Sequence, residues 1–197
     1  MLRNLLTAAF CIALVVAFGN QLPRYTPPES GAAHAAPFHS PDGVSVLEAN
    51  ALTVSTANYV AGDLIGTHTG GKLIFENAAR VIGGSGQIYQ ACLVDLSDAK
   101  RDTELLLFSS DPSGTTFTDN AALDIADTDA PKLLGSVQFL STAYRSFADN
   151  GMVCNTGGGL LYTTSATSSL YGALVARQLI TPAAATDFTI RLFVRRS

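Results

Sequence analysis

Near its C-terminal end the chain alternates strictly: Phe188, Ile190, Leu192 and Val194 interleave with Thr189, Arg191, Phe193 and Arg195. A period of two with one apolar face predicts a half-buried strand. Residues 169–178 (SLYGALVARQ) predict another, with Leu170, Leu174 and Ala176 on one face. The loop between them opens at Pro182 and closes at Asp187. Upstream, residues 72–81 (KLIFENAARV), 87–96 (QIYQACLVDL), 103–109 (TELLLFS), 133–140, 150–155 and 160–164 read as strands, and 53–65 can add one more. Residues 87–96 are apolar on both faces, which predicts a central strand. Gly83, Gly84 and Gly86 read as a tight hairpin, and Asp111-Pro112-Ser113-Gly114 as a strand stop. Only residues 120–127 (NAALDIAD) could make a helical turn.

About eight short strands separated by Gly, Pro, Asp and Asn clusters predict an all-β sandwich or barrel over residues 46–197. No unit recurs at a fixed spacing, which excludes a solenoid.

The first forty residues carry a different pattern. Arg3 precedes an uncharged, mostly apolar run that ends near Phe18. A short positive region followed by an apolar run of roughly 7–15 residues has the shape of a secretory signal, and it is short for a membrane span. Residues 20–45 are rich in Pro, Ala, Ser and Gly and read as linker. Two readings of this non-globular extension stand. Residues 1–19 are a signal or anchor, or the extension lies outside the functional chain as a start assigned too far upstream. Membrane contact is expected only through residues 1–19.

Composition narrows the function classes. Hydrophobic residues make up 47% and charged residues only 14% of the 197, against about 25% charged in typical soluble domains. Such a chain can fill a core, and its low surface charge suits packing against copies of itself or a partner. Net charge is −4 and the basic residues are scattered, apart from Arg195-Arg196. That pattern argues against direct nucleic-acid binding.

Candidate chemistry is sparse. His68 is the only histidine of residues 46–197, and Ser85 sits in Gly83-Gly84-Ser85-Gly86-Gln87, which lacks the last Gly of a nucleophile elbow. Glu76, Asp95, Glu104 and Asp149 are available carboxylates, but their spacing names no acid/base pair. Asp119, Asp124, Asp127 and Asp129 form the densest acidic run; it does not match a calcium loop and reads as a solvated loop. There is no Trp, and Tyr59, Tyr89, Tyr144, Tyr162 and Tyr171 fall mostly inside strands rather than on a sugar-binding platform. Cys11 lies in the apolar run. Cys92 and Cys154 can pair where the compartment is oxidising; the reading preferred on the residues alone is two small buried hydrophobes. No catalytic residue, cofactor or metal is expected.

A series of landmarks resembles a family of small structural proteins of tailed bacteriophages, often encoded near the major capsid gene. They are residues 56–65 (TANYVAGDLI), 78–86 (AARVIGGSG), Leu106-Leu107-Phe108 with Asp111-Pro112, residues 117–122 (FTDNAA), Lys132-Leu133-Leu134-Gly135, residues 146–150 (SFADN) and 170–177 (LYGALVAR). Order and spacing are similar across residues 52–194, and residues 1–40 have no counterpart. The resemblance implies an antiparallel jelly-roll-like sandwich and a non-enzymatic place in the virion as a head-decoration subunit. Its partners would be the major capsid protein or other virion subunits, together with further copies of itself. It brings no active-site residues. A secreted or surface β-sandwich that binds a ligand or glycan is the competing expectation.

Overall fold

A computed structural model describes residues 43–66 and 71–197. The apolar N-terminal segment, Cys11 and His68 lie outside the described residues. Among the described residues ten strands form: β1 (Val44–Glu48), β2 (Leu64–Ile65), β3 (Leu73–Phe75), β4 (Ser85–Asp95), β5 (Thr103–Phe108), β6 (Leu133–Phe139), β7 (Arg145–Phe147), β8 (Asn150–Thr163), β9 (Leu170–Ala176) and β10 (Phe188–Arg196).

They make two antiparallel sheets. Sheet 1 has the order β1-β10-β4-β8-β7; sheet 2 has the order β2-β9-β5-β6, with β3 also pairing β9. Apart from the short β7 and the split of one strand into β2 and β3, this is the eight-strand order of a jelly roll. The expected all-β sandwich is therefore present. Most connections cross from one sheet to the other, so the two apolar faces are forced together. Ile88, Leu93, Val153, Ile190, Leu192 and Val194 of sheet 1 and Leu105, Leu107, Val137, Phe139 and Leu174 of sheet 2 share one core.

The terminal alternation plays out as predicted: Phe188, Ile190, Leu192 and Val194 are buried and Arg191 and Arg195 exposed. Residues 87–96 form most of β4, the middle strand of sheet 1. All seven residues of β9 are buried, because its second face lies beneath the loop of residues 109–132. Phe117, Leu123 and Ile125 of that loop pack on Phe108, Tyr171 and Ala173.

Several expectations are corrected. Residues 150–155 and 160–164 belong to one strand, β8, because the intervening glycines are taken up as a bulge opposite Tyr89, with Gly159 at φ 73°, instead of turning the chain back. Residues 72–81 hold only the three-residue β3; Asn77 at φ 55° ends it. Gly83, Gly84 and Gly86 do not make a hairpin, since β3 and β4 belong to different sheets. Gly83 and Gly84 lie in the turn that carries the chain between the sheets, closed by Gly84 N–H donating to Val81 O at 3.0 Å, and Gly86 is already part of β4. Residues 120–127 form no helical turn; the 3-10 turns fall instead at Ala130–Lys132 and Ser141–Ala143. β1 begins at Val44, inside the stretch read as linker.

Cys92 and Cys154 are corrected as well. They face each other in the β4–β8 ladder, Cα atoms 4.1 Å apart, and are joined as a disulfide. The separation is close to that of a non-hydrogen-bonded antiparallel pair, where facing side chains are nearest. The bond lies on the outer face of sheet 1, with Cys92 buried and Cys154 exposed.

The bond closes a 62-residue separation, and constraining an unfolded loop of that length stabilises by about 2–4 kcal/mol. Reducing it, or substituting Cys92→Ala with Cys154→Ala, lowers the melting temperature by roughly 5–15 °C. Calorimetry with and without reductant, with alkylation mass spectrometry to count free thiols, checks this; an unchanged melt would show that the bond does not clamp the sheet.

Candidate functional site

At one end of the sandwich four connections meet: residues 49–63, 96–102, 140–149 and 177–187. Tyr59 and Ile180 exchange backbone hydrogen bonds of 2.8 and 3.0 Å, Leu96 N–H donates to Asp187 O at 2.8 Å, and Arg177 N–H to Asp102 O at 2.9 Å. Ser141 N–H donates to the Asp102 carboxylate at 2.5 Å. Asp187 closes the Pro182 loop as expected, its carboxylate accepting from Ala184 N–H at 2.8 Å. Each connection also leaves a large apolar side chain in solvent: Val60, Leu96, Leu140, Phe147 and Leu179. Val60 and Leu179 flank the Tyr59–Ile180 bridge on its outer side, so they are cross-strand neighbours.

The long loop of residues 109–132 is pinned by two of its aspartates. Asp119 Oδ1 accepts from the Tyr59 hydroxyl at 2.7 Å and from Gly66 N–H at 2.9 Å. Its Oδ2 accepts from Ser55 N–H at 3.1 Å, and that N–H also reaches the Tyr59 oxygen at 2.6 Å. Burial, and then the bond to Asp119, push the Tyr59 hydroxyl well above the ordinary tyrosine range. Asp129, 1% exposed, accepts from Lys132 Nζ at 2.6 Å and from Thr115 Oγ1 at 2.8 Å. The Lys132 ammonium beside it, with the Thr115 bonds, holds its carboxyl below 3.8.

The acidic run is thus half structural. Asp119 and Asp129 turn inward as staples, a role the sequence reading as a solvated loop missed, because their partners are remote or lie in their own turn. Asp124 and Asp127 are exposed, in keeping with that reading. Among the described residues, no group of three or more His, Cys, Asp or Glu side chains could hold a metal ion.

The other weighed residues are scattered. Ser85 opens β4, and its hydroxyl shares a hydrogen bond of 3.0 Å with Thr163. Asp95 is buried at the end of β4 and caps the next turn, accepting from Ser97 and Lys100 N–H groups at 3.0 and 2.9 Å. Glu104 on β5 pairs with Arg177 of the β9–β10 connection. Glu76 and Asp149 sit in separate exposed turns. Tyr59, Tyr162 and Tyr171 are buried, Tyr144 is half-buried, and among the described tyrosines only Tyr89 stands in solvent. Tyr162 donates to Ala78 O at 2.6 Å, and burial pushes its hydroxyl up to about 12. A shallow open groove of about 580 Å³ lies between Gln87, Leu161, Tyr162 and Arg195. Arg196 at its rim is engaged by Ser45 Oγ and Asn77 O.

No protein-family model matches the chain, and no curated protein is significantly similar to it.

Asp119→Ala strands the Tyr59 hydroxyl and a backbone N–H, and is expected to cost about 2–3 kcal/mol. The exposed control Asp124→Ala stays within about 0.5 kcal/mol. Urea unfolding midpoints read both.

Asp129 has a folded pKa below its unfolded one, so the unfolded chain binds the proton first as pH falls. Its contribution is complete above the unfolded value of 3.8 and is lost as pH drops through the lower folded value. Wild type is therefore more stable than Asp129→Asn near neutrality, and the difference shrinks as pH falls through the lowered folded value. Urea midpoints taken between pH 7 and pH 2 measure the difference.

Proposed function

We propose that the domain is a non-enzymatic structural subunit of a tailed-phage particle, decorating the head and contacting the major capsid protein or other virion subunits. The observation that carries this reading is the ordered run of landmarks across residues 52–194, together with where those landmarks fall in the fold. Residues 56–65 lie in the loop end and β2, 78–86 run through the turn between sheets into β4, and 117–122 staple the covering loop. Residues 146–150 span the end of β7, its turn and the start of β8, and 170–177 run through the doubly buried β9. They are joints of a scaffold rather than the walls of a pocket, as a protein that works by shape requires. Exposed apolar side chains at the loop end, on residues 140–151 among others, offer the small contacts that a repeating lattice turns into avidity.

One observation favours a second reading. Disulfides form and persist in oxidising compartments, and Cys92–Cys154 accompanies an N-terminal segment shaped like a secretory signal. That combination suits a secreted or surface β-sandwich that binds a ligand or glycan.

The readings part in a sedimentation experiment. Mixed at about micromolar concentration with expanded heads that lack it, the protein pellets in many copies per particle if it decorates heads. If none pellets, while the protein is found exported from its host with the N-terminal segment removed, the particle reading falls and the secreted one replaces it.

A further inference from the structure

The two outer faces of the sandwich differ in cover and in charge. Over sheet 2, Phe117, Leu123 and Ile125 seal the face, and residues 109–132 carry five aspartates against one lysine. Asp124 and Asp127 of that loop are exposed and make no ion pair among the described residues.

Sheet 1 presents an open outer face. Val46 of β1 stands beside Phe193 of β10, and Phe193 beside Gln90 of β4, next to Tyr89 at the bulge. Val46 is 56% and Tyr89 60% exposed. Large apolar side chains in a row across three strands are a contact surface rather than a scatter. The charged side chains on this face are Arg145, Arg191 and Arg195 against Glu48. Arg191 is held by Glu48 at 2.9 Å, while Arg145 and Arg195 are exposed and make no ion pair among the described residues. A chain of net charge −4 thus keeps its sheet 1 face basic and puts the complementary sign on the opposite side of the same sandwich.

We propose that copies of this chain associate head to tail, the basic apolar face of sheet 1 in one copy receiving the acidic loop of residues 109–132 of the next. The contact is heterologous, since it joins two different patches, so it propagates into stacks or closes into a ring rather than stopping at a two-fold dimer. It deepens the copy-to-copy contacts of the particle reading, but it rests on geometry and charge that hold in either functional reading.

The test uses the isolated full chain in sedimentation equilibrium, on the order of 10–200 μM. In low salt the weight-average mass climbs with concentration above the 20.6 kDa monomer and past two copies, and about 0.5 M salt reverses it by screening. Arg145→Glu with Arg195→Glu leaves the loop face intact; Asp124→Asn with Asp127→Asn leaves the sheet face intact. Each double variant alone weakens association at least tenfold. Mixed in equal amounts, they form a one-to-one pair that grows no further, because only one complementary contact remains. Wild type that stays monomeric at low salt, stops at a dimer, or associates as strongly after either double substitution overturns the proposal. All four positions are exposed, and circular dichroism identifies any variant that misfolds; the salt reversal in wild type then decides on its own. Capsid binding plays no part in the assay, so failure of the particle reading and failure of this one are separately visible.

Discussion

The pairing of β4 with β8 is the constraint on which the rest of this fold depends. The ladder runs from Ser85 opposite Thr163 to Asp95 opposite Gly151 and forms the middle of sheet 1. Its register points Ile88, Leu93, Val153 and Tyr162 into the core and Cys92 and Cys154 out of it. A slip of one residue would send every inward side chain to solvent and part the two sulfurs. β10 then pairs with the other edge of β4 and β1 with β10, so sheet 1 inherits its register from this one ladder. The disulfide fixes covalently what the pattern of apolar residues favours.

How much of this was readable in advance follows from how local each signal is. β10 was plain because its alternation is uninterrupted, and β4 declared its central place by being apolar on both faces. β8 read as two strands because Gly157-Gly158-Gly159 resembles punctuation; only pairing with the long β4 explains why the chain bulges there and continues as one strand. β7 has three exposed residues and no apolar face, so no periodicity could reveal it. Residues 120–127 look helical at the level of composition, yet Asn120 has φ 57° and Leu123 and Ile125 dip into sheet 2 on a two-residue spacing. Burial beneath a surface the sequence does not display overrides local preference there.

The chemistry was less legible than the fold for the same reason. Asp119 bonds Tyr59 across 60 residues, and Cys92 meets Cys154 across 62; both depend on register and topology, which spacing does not encode. Where the partner is near in sequence, as with Lys132 three residues beyond Asp129, the signal was present but identical to that of any solvated turn. What separates the two cases is burial, and burial is a property of the finished sandwich.

The loop of residues 109–132 sets the two outer faces of the fold apart. A jelly roll has two outer faces, and fold alone does not say what either is for. By laying Phe117, Leu123 and Ile125 on sheet 2 and fastening them with Asp119 and Asp129, the chain closes one face and gives it an acidic surface. Two of the loop's five aspartates therefore serve stability, and Asp124 and Asp127 are left free to face outward. A structure that needed only to be soluble gains nothing from closing one face while leaving Val46 and Tyr89 exposed and Phe193 half-buried on the other. The asymmetry has a physical use if the open face is covered by something outside the described fold, and the separation of charge between the two faces makes another copy's loop a fitting cover.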